Sequence, residues 1–379
     1  MRSRSTIFAG GAALAATALS LVLVAPANAD IAPGADDIVG VGSDTVQNIA
    51  NFMFDGDYTT LATGVNPTVV KNRVFSFDAT PDANDRAGYL NGSTSAVPKP
   101  LTPSVVLRAG ASPVQRPNGS SAGINALLAD RTAPFQINFV RSSRLPSAQN
   151  QNDSINLSGF AGGLRVIKIS TDALKVASTN TTNAPPSLTV AQLVGIYECT
   201  TTNWSAVGGT PGTIIPQIPQ SGSGTRNSFQ ADLNTAKGSP VSFGTCVQTV
   251  EENDPASLTG SASPVNTIAP FSEGRNNLYG AGYFKDPTVV FPGAAGPVSS
   301  GIKMLGGYAN NRGLYIVLRQ SDVASTKKWQ PGSAQNWAQA LFVGPGSYAA
   351  GADAAAAIAS GGATQTYVDC GNGPTVATC

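Results

Sequence analysis

The stretch Pro219-Gln220-Ser221-Gly222-Ser223-Gly224-Thr225-Arg226-Asn227-Ser228-Phe229-Gln230-Ala231-Asp232-Leu233 sets glycines and hydroxyl residues directly before a helical pattern. The preceding residues, "TIIPQIPQ", read as a strand with a proline-limited end, and Phe229 and Leu233 fall on one face of the helix that follows. A Gly/Ser turn between a strand and a helix is an anion cradle rather than a linker. The first N–H groups of a helix have no intrahelical partner and lie at the positive end of its dipole. Glycine lets the backbone approach a bound group, and Ser or Thr hydroxyls add neutral donors.

Two other segments share this grammar: Gly42-Ser43-Asp44-Thr45, after the apolar strand Ile38, Val39 and Val41, and Gly119-Ser120-Ser121-Ala122-Gly123, ahead of the stripe Ile124, Leu127 and Leu128. The first helix is expected to start near Thr45. No segment has the lysine of a nucleotide P-loop. The chain contains no histidine, which excludes Ser-His-Asp and Cys-His nucleophile systems and any His-containing zinc site. A net charge of +1 argues against a nucleic-acid or acidic-membrane partner. No cofactor, metal or catalytic residue is expected. Glu251, Glu252 and Asp254 read as a solvated loop before Pro255 rather than as a catalytic carboxylate pair, and Trp204 as a core or hinge-packing residue rather than a sugar platform.

Arg2 and Arg4, an apolar run from about 12 to 24 and Ala27-Asn28-Ala29 form the pattern of a Sec signal peptide cut after Ala29. No cysteine lies near that point to carry a lipid anchor, and no later segment is apolar enough to span a bilayer, so a secreted, extracellular chain is expected. Only 12% of the residues are charged, consistent with a neutral, loop-rich exported surface. The four cysteines allow three pairings. Cys199–Cys246 with Cys370–Cys379 is favoured, because the second pair closes a short Gly/Pro-containing C-terminal loop.

"GGLRVIKIS" (162–170) and "RGLYIVLRQ" (312–320) read as strands; "SLTVAQLVGIY" reads as a helix capped by Thr189 with Leu193, Val194 and Ile196 buried; "AAAAIA" (354–359) reads as a last helix. Residues 55–115 are irregular, with breakers such as Val97-Pro98-Lys99-Pro100, and read as a surface insertion. Strands alternating with helices give an α/β class with parallel or mixed sheets, and the length beyond residue 29 favours two lobes over one core.

Taken together and in order, these segments resemble the substrate-binding proteins of phosphate ABC transporters, with the type II periplasmic-binding-protein fold. The resemblance runs from about residue 38 to 320. It rests on Val41-Gly42-Ser43-Asp44-Thr45-Val46-Gln47, Gly119 to Ile124, Ile137 to Arg144, Ile196-Tyr197, Thr202-Asn203-Trp204-Ser205-Ala206-Val207-Gly208-Gly209, Gly222 to Arg226 with Phe229, and Asn266 to Ser272. It implies two lobes, each a mixed sheet flanked by helices, with a ligand cleft between them and hinged closure. The lobes would be 30–164 plus 312–379, and 165–311. The implied ligand set is Ser43, Asp44 and Thr45; Ser120 and Ser121; Arg141, Ser142 and Ser143; and Ser223, Gly224, Thr225 and Arg226.

Two positions depart from the family. Ser143 stands where the family has an acidic residue that accepts a proton from the anion, and Pro219-Gln220 where it has an arginine. Arg141, Arg144 and Arg226 are the candidates to replace that charge, and Asp44 is either a helix N-cap or an acceptor toward the anion. The function implied is capture of a small oxyanion, phosphate first, by a monomer that hands it to an ABC permease. The alternative is a secreted protein of the same fold with a lost or altered ligand, acting as an extracellular interaction module.

Overall fold

Ile38–Gly42 and Phe139–Ser142 are buried along their whole length, as parallel strands covered by helices require. The structure, a computed structural model, describes residues 33–56, 64–66, 69, 71–80, 103–280, 299–373, 376 and 379. The expected signal peptide, 1–29, lies outside these residues, as do parts of the 55–115 segment, including Val97-Pro98-Lys99-Pro100. Strand β1 (Ile38–Gly42) is buried along its whole length. It pairs in parallel with β2 (Val74–Ser76) on one side and with β5 (Phe139–Ser142) on the other. Between them in sequence, β3 (Ser104–Val105) and β4 (Val114–Gln115) form a small separate antiparallel pair.

Two long antiparallel strands form the spine. They are β6 (Leu164–Thr179) and β11 (Ile302–Arg319), paired over most of their length. The strands read from the sequence at 162–170 and 312–320 are only parts of them. The polar run Thr171-Asp172-Ala173 interrupts the apolar alternation of β6 without ending the strand. Along one edge of β6, β12 (Thr364–Asn372) pairs with the first part and β10 (Thr267–Ser272) with the second. The short β7 (Ser187–Leu188) adds to β11. From β10 the sheet continues in parallel through β8 (Ile215–Pro219) to β9 (Gln248–Val250). The order is β2-β1-β5-β11-β6-β10-β8-β9, with parallel wings on either side of an antiparallel centre.

Helices cover the wings. They include α1 (Gln47–Asp55), α2 (Ser120–Ala129), α3 (Ala148–Ile155), α4 (Val190–Tyr197), α5 (Gly224–Lys237), α6 (Pro255–Thr259), α7 (Glu273–Gly280) and α8 (Ala352–Ser360). Helix α1 starts at Gln47, later than the expected Thr45, because Ser43 to Val46 form a turn that crosses the end of β1. Thr189 caps α4 as read, in a capping box with Gln192. Leu193 and Ile196 are fully buried, and Val194 is partly so.

The core divides along the spine. Val166, Ile167 and Ile169 of β6 pack with β1, β5 and the helices α1, α2 and α8. Leu174 and Val176 pack instead with α4, α5 and β8, in a cluster that holds Trp204, Tyr197 and Phe229. Trp204 is fully buried, as expected of a core residue. The favoured cysteine pairing is the one formed: Cys199–Cys246 spans 47 residues and Cys370–Cys379 spans 9, and no described cysteine is free.

Candidate functional site

The parallel wings point the carboxyl ends of β1, β5, β8, β9 and β10 toward one region, where open α/β sheets place their ligands. The residues that follow those ends meet there. Ser43, Asp44 and Thr45 follow β1, Ser143 follows β5, Ser223 to Thr225 follow β8, Glu251 to Asn253 follow β9, and Ser272 ends β10. Ser43, Asp44, Thr45, Ser120, Ser143, Ser223, Thr225 and Glu252 are all at most 3% exposed.

The two wings are in contact at this region. The Ser121 backbone N–H donates to the Gly222 carbonyl at 3.0 Å. Gly119 has a φ of +101°, and a Cβ there would lie 2.4 Å from the Gly222 carbonyl oxygen, so only glycine lets α2 approach this closely. Ser120 and Ser143 share a hydrogen bond between their hydroxyls at 3.2 Å, and the Ser143 backbone N–H donates to Ser120 Oγ at 2.9 Å. A Cβ on Gly224, at the start of α5, would lie 2.2 Å from the Ser143 hydroxyl and 2.3 Å from that of Ser120, so the two hydroxyls occupy the space a side chain would need.

The centre of the cradle holds a carboxylate. Glu252 Oε1 accepts the backbone N–H of Thr225, in the first turn of α5, at 3.1 Å and the Thr45 hydroxyl at 3.2 Å. Thr45 Oγ1 in turn accepts from Asn253 Nδ2 at 3.1 Å and from Arg312 Nη2 at 3.4 Å, and the Thr225 hydroxyl lies 3.4 Å away. Arg312 is anchored by Asp172, through Nη2 at 3.0 Å and Nε at 3.2 Å. Asp44 accepts from Thr80 Oγ1 at 2.5 Å and Asn253 Nδ2 at 2.8 Å, and pairs with Arg275 at 3.3 Å. Burial raises the pKa of Glu252, the Asp44 carboxylate adds to the rise, and the bonds from Thr225 with the charge of Arg312 oppose it. Burial also raises Glu251, with Asp44 and Glu252 adding to the rise, although Asn118 donates to its carboxylate at 2.8 Å and opposes it.

This corrects the expectation of a solvated acidic loop at 251–254. Glu252 is 1% exposed, and Glu251 is held by Asn118 and by Gln220 at 3.1 Å. The loop was misread because Gln248-Thr249-Val250 is too short and too polar to stand out as a strand. Once it is placed as β9, the rule that ligand sites lie at the carboxyl ends of parallel strands leads to Glu252.

The remaining expected residues divide. Thr45, Ser120, Ser143, Gly224 and Thr225 come together as expected. Asp44 is not the N-cap of α1, whose cap position is Val46; its carboxylate serves Thr80, Asn253 and Arg275 instead. The Ser223 hydroxyl caps α5 by accepting the Arg226 N–H at 3.0 Å. The Ser142 hydroxyl donates to the Arg144 carbonyl within its own turn at 2.6 Å. Ser121 accepts from Arg144 Nη2 and Asn227 Nδ2, each at 2.8 Å. The buried Arg141 guanidinium props the loops after β1 and β2, donating to the carbonyls of Phe77, Gly42 and Ser43 and to the Ser76 hydroxyl. Arg226 turns back to the Pro219 carbonyl at 2.8 Å and stacks over Phe243, its guanidinium carbon 5.2 Å from the ring centre. The Arg141 and Arg226 guanidiniums are thus both engaged with backbone carbonyls beside the cradle. The arginines at the cradle are Arg312 and Arg275, which lie outside the Gly/Ser segments and carry no local signature.

Residues 79–370 match the family model described as PBP superfamily domain. No curated protein matches the chain in sequence. Among solved structures, one described as a phosphate ABC transporter substrate-binding protein with bound phosphate, from Clostridium perfringens, is 13% identical with a TM-score of 0.52, covering 87% of this chain and 99% of its own. An ABC-type phosphate transport receptor from Vibrio cholerae is 16% identical with a TM-score of 0.42, covering 76% of this chain and 88% of its own. The first of these likenesses bears on the fold, and the fold expected from the resemblance is the one found: two lobes of mixed sheet and helices with the strand ends meeting between them.

Proposed function

The chain belongs to the PBP superfamily, and from that premise we propose that it is an exported solute-binding protein that captures a small oxyanion, inorganic phosphate first, between its lobes for uptake. The family and fold are those of solute-binding proteins rather than enzymes. The observation that carries the proposal is the carboxylate on the Thr225 N–H and the Thr45 hydroxyl. A buried carboxyl oxygen, Glu252 Oε1, already sits at a helix N-terminus between the lobes, so the donors are set for an acceptor oxygen such as an oxyanion presents. The ligand donors are Thr45, Ser120, Ser143, Gly224 and Thr225, with Arg312 supplying charge. Ser43 Oγ is buried without a hydrogen-bond partner among the described residues and is the remaining donor.

Closure pivots within β6 and β11. On this reading the hinge lies a little beyond 164/165, which is supported by Val166, Ile167 and Ile169 packing with β1, β5 and their helices and Leu174 with α4, α5 and β8. Two disulfides suit an exported protein in an oxidising compartment. None of the helices among the described residues is long and apolar enough to cross a membrane; the proposed partner in uptake is a separate permease of the ABC type. Thermal melting of the exported protein with phosphate, arsenate and sulfate tests the reading. Phosphate and arsenate should raise the melting temperature in a saturable way; no shift at millimolar phosphate refutes it.

A further inference from the structure

We propose that Glu252 is an internal ligand of the oxyanion cradle, which an external anion binds only by displacing. The proposal rests on the oxyanion reading above and adds how that site is controlled. The donors that an oxyanion needs, the Thr225 N–H and the Thr45 hydroxyl, are both taken by Glu252 Oε1. A second anion cannot share them, because two negative oxygens competing for one N–H repel each other in a buried setting. The carboxylate is the competitor for three further reasons.

First, its pairing is incomplete. Glu252 Oε2 is buried and has no hydrogen-bond partner among the described residues. A buried carboxylate with a free oxygen is costly, so its position is held by the helix N-terminus and Thr45. Second, it has no ion pair of its own among the described residues: Arg312 pairs with Asp172, and Arg275 with Asp44. Asp44 faces it with like charge. Third, it sits on the short loop between β9 and α6, so a rotation of its side chain alone frees the cradle and leaves the bonds of its neighbours Glu251 and Asn253 in place. A residue that helped to hold the anion would weaken binding when removed. A competing internal ligand has the opposite sign.

Phosphate binding to the exported protein, to Glu252→Ala and to Glu252→Gln, measured by calorimetry with sulfate as a second probe, tests the proposal. Circular dichroism and melting temperature verify that each variant is folded, and Gln keeps the side chain's shape should Ala perturb the loop. Both variants should bind phosphate at least about tenfold more tightly, equivalent to ~1.4 kcal/mol. If the wild-type protein binds phosphate and neither variant binds it more tightly, the internal-ligand proposal is overturned and the oxyanion reading stands. If only the variants bind, the internal ligand is established and capture for uptake is refuted. If no form binds either anion, both fall.

Discussion

Replacing Gly224 with alanine separates closure of the lobes from their stability. Gly224 is the first residue of α5, where alanine is the better helix former by roughly 0.5–1 kcal/mol. In the closed arrangement an added Cβ would lie 2.2 Å from Ser143 Oγ, 2.3 Å from Ser120 Oγ and 3.1 Å from Ser120 Cβ. All three atoms belong to the opposite lobe, so the clash exists only when the lobes meet. Overpacking of this kind costs about 1–3 kcal/mol. With the open form untouched, that cost appears as a loss of phosphate affinity of about 5- to 150-fold. Calorimetry gives the affinity, and small-angle scattering of the unliganded protein should show a larger radius of gyration than wild type. The double variant Gly224→Ala/Ser143→Gly removes the nearest obstacle and should recover part of both. If Gly224→Ala binds within about twofold of wild type and scatters identically, the contact between the lobes at α5 is not what closes the site.

Three further outcomes are expected. The double variant Cys199→Ser/Cys246→Ser opens a loop of 47 residues and should lose about 2–4 kcal/mol in denaturant unfolding; an unchanged midpoint would mean that the loop is ordered without its cross-link. Trp204→Phe leaves a smaller side chain in the second-lobe core and removes an indole N–H that has no partner among the described residues. It should cost about 1–3 kcal/mol of stability with phosphate affinity unchanged, and a loss of affinity without a loss of stability would contradict the placement. Asp322 is raised to about 6 by burial, which outweighs the opposing Arg319 at 3.7 Å. The unfolded chain ionises this group near pH 4 while the folded one keeps its proton, so its contribution is full below pH 4 and is lost as pH rises to about 6. Asp322→Asn should flatten that fall of about 2–3 kcal/mol; an equal slope in the variant assigns it to another group.

The parts of the fold written in strong local patterns were legible. The apolar run of β1, the Thr189 capping box and the Gly-spaced starts of α2 and α5 each leave a short signature, and each lies where it was read, while α1 starts two residues later than read. The full lengths of β6 and β11 were not legible, because Thr171-Asp172-Ala173 and the glycines near Gly306 look like chain breaks while tertiary pairing keeps them in strand. β12 was missed: Thr364 to Asn372 lies in a Gly/Ala-rich tail and becomes a strand by pairing with the edge of β6. In the site, the backbone donors were visible from glycine spacing. The charged partners were not. Arg312, Asp172, Arg275 and Glu252 come from four separate elements, and their meeting is a consequence of strand order, which a local motif does not encode.

The most direct measurement is a crystal structure of the protein grown with phosphate. The account predicts a phosphate oxygen on the Thr225 N–H and the Thr45 hydroxyl, with the Glu252 side chain moved off both. Phosphate bound elsewhere, or a Glu252 carboxylate still seated on those donors beside an empty cleft, would contradict it.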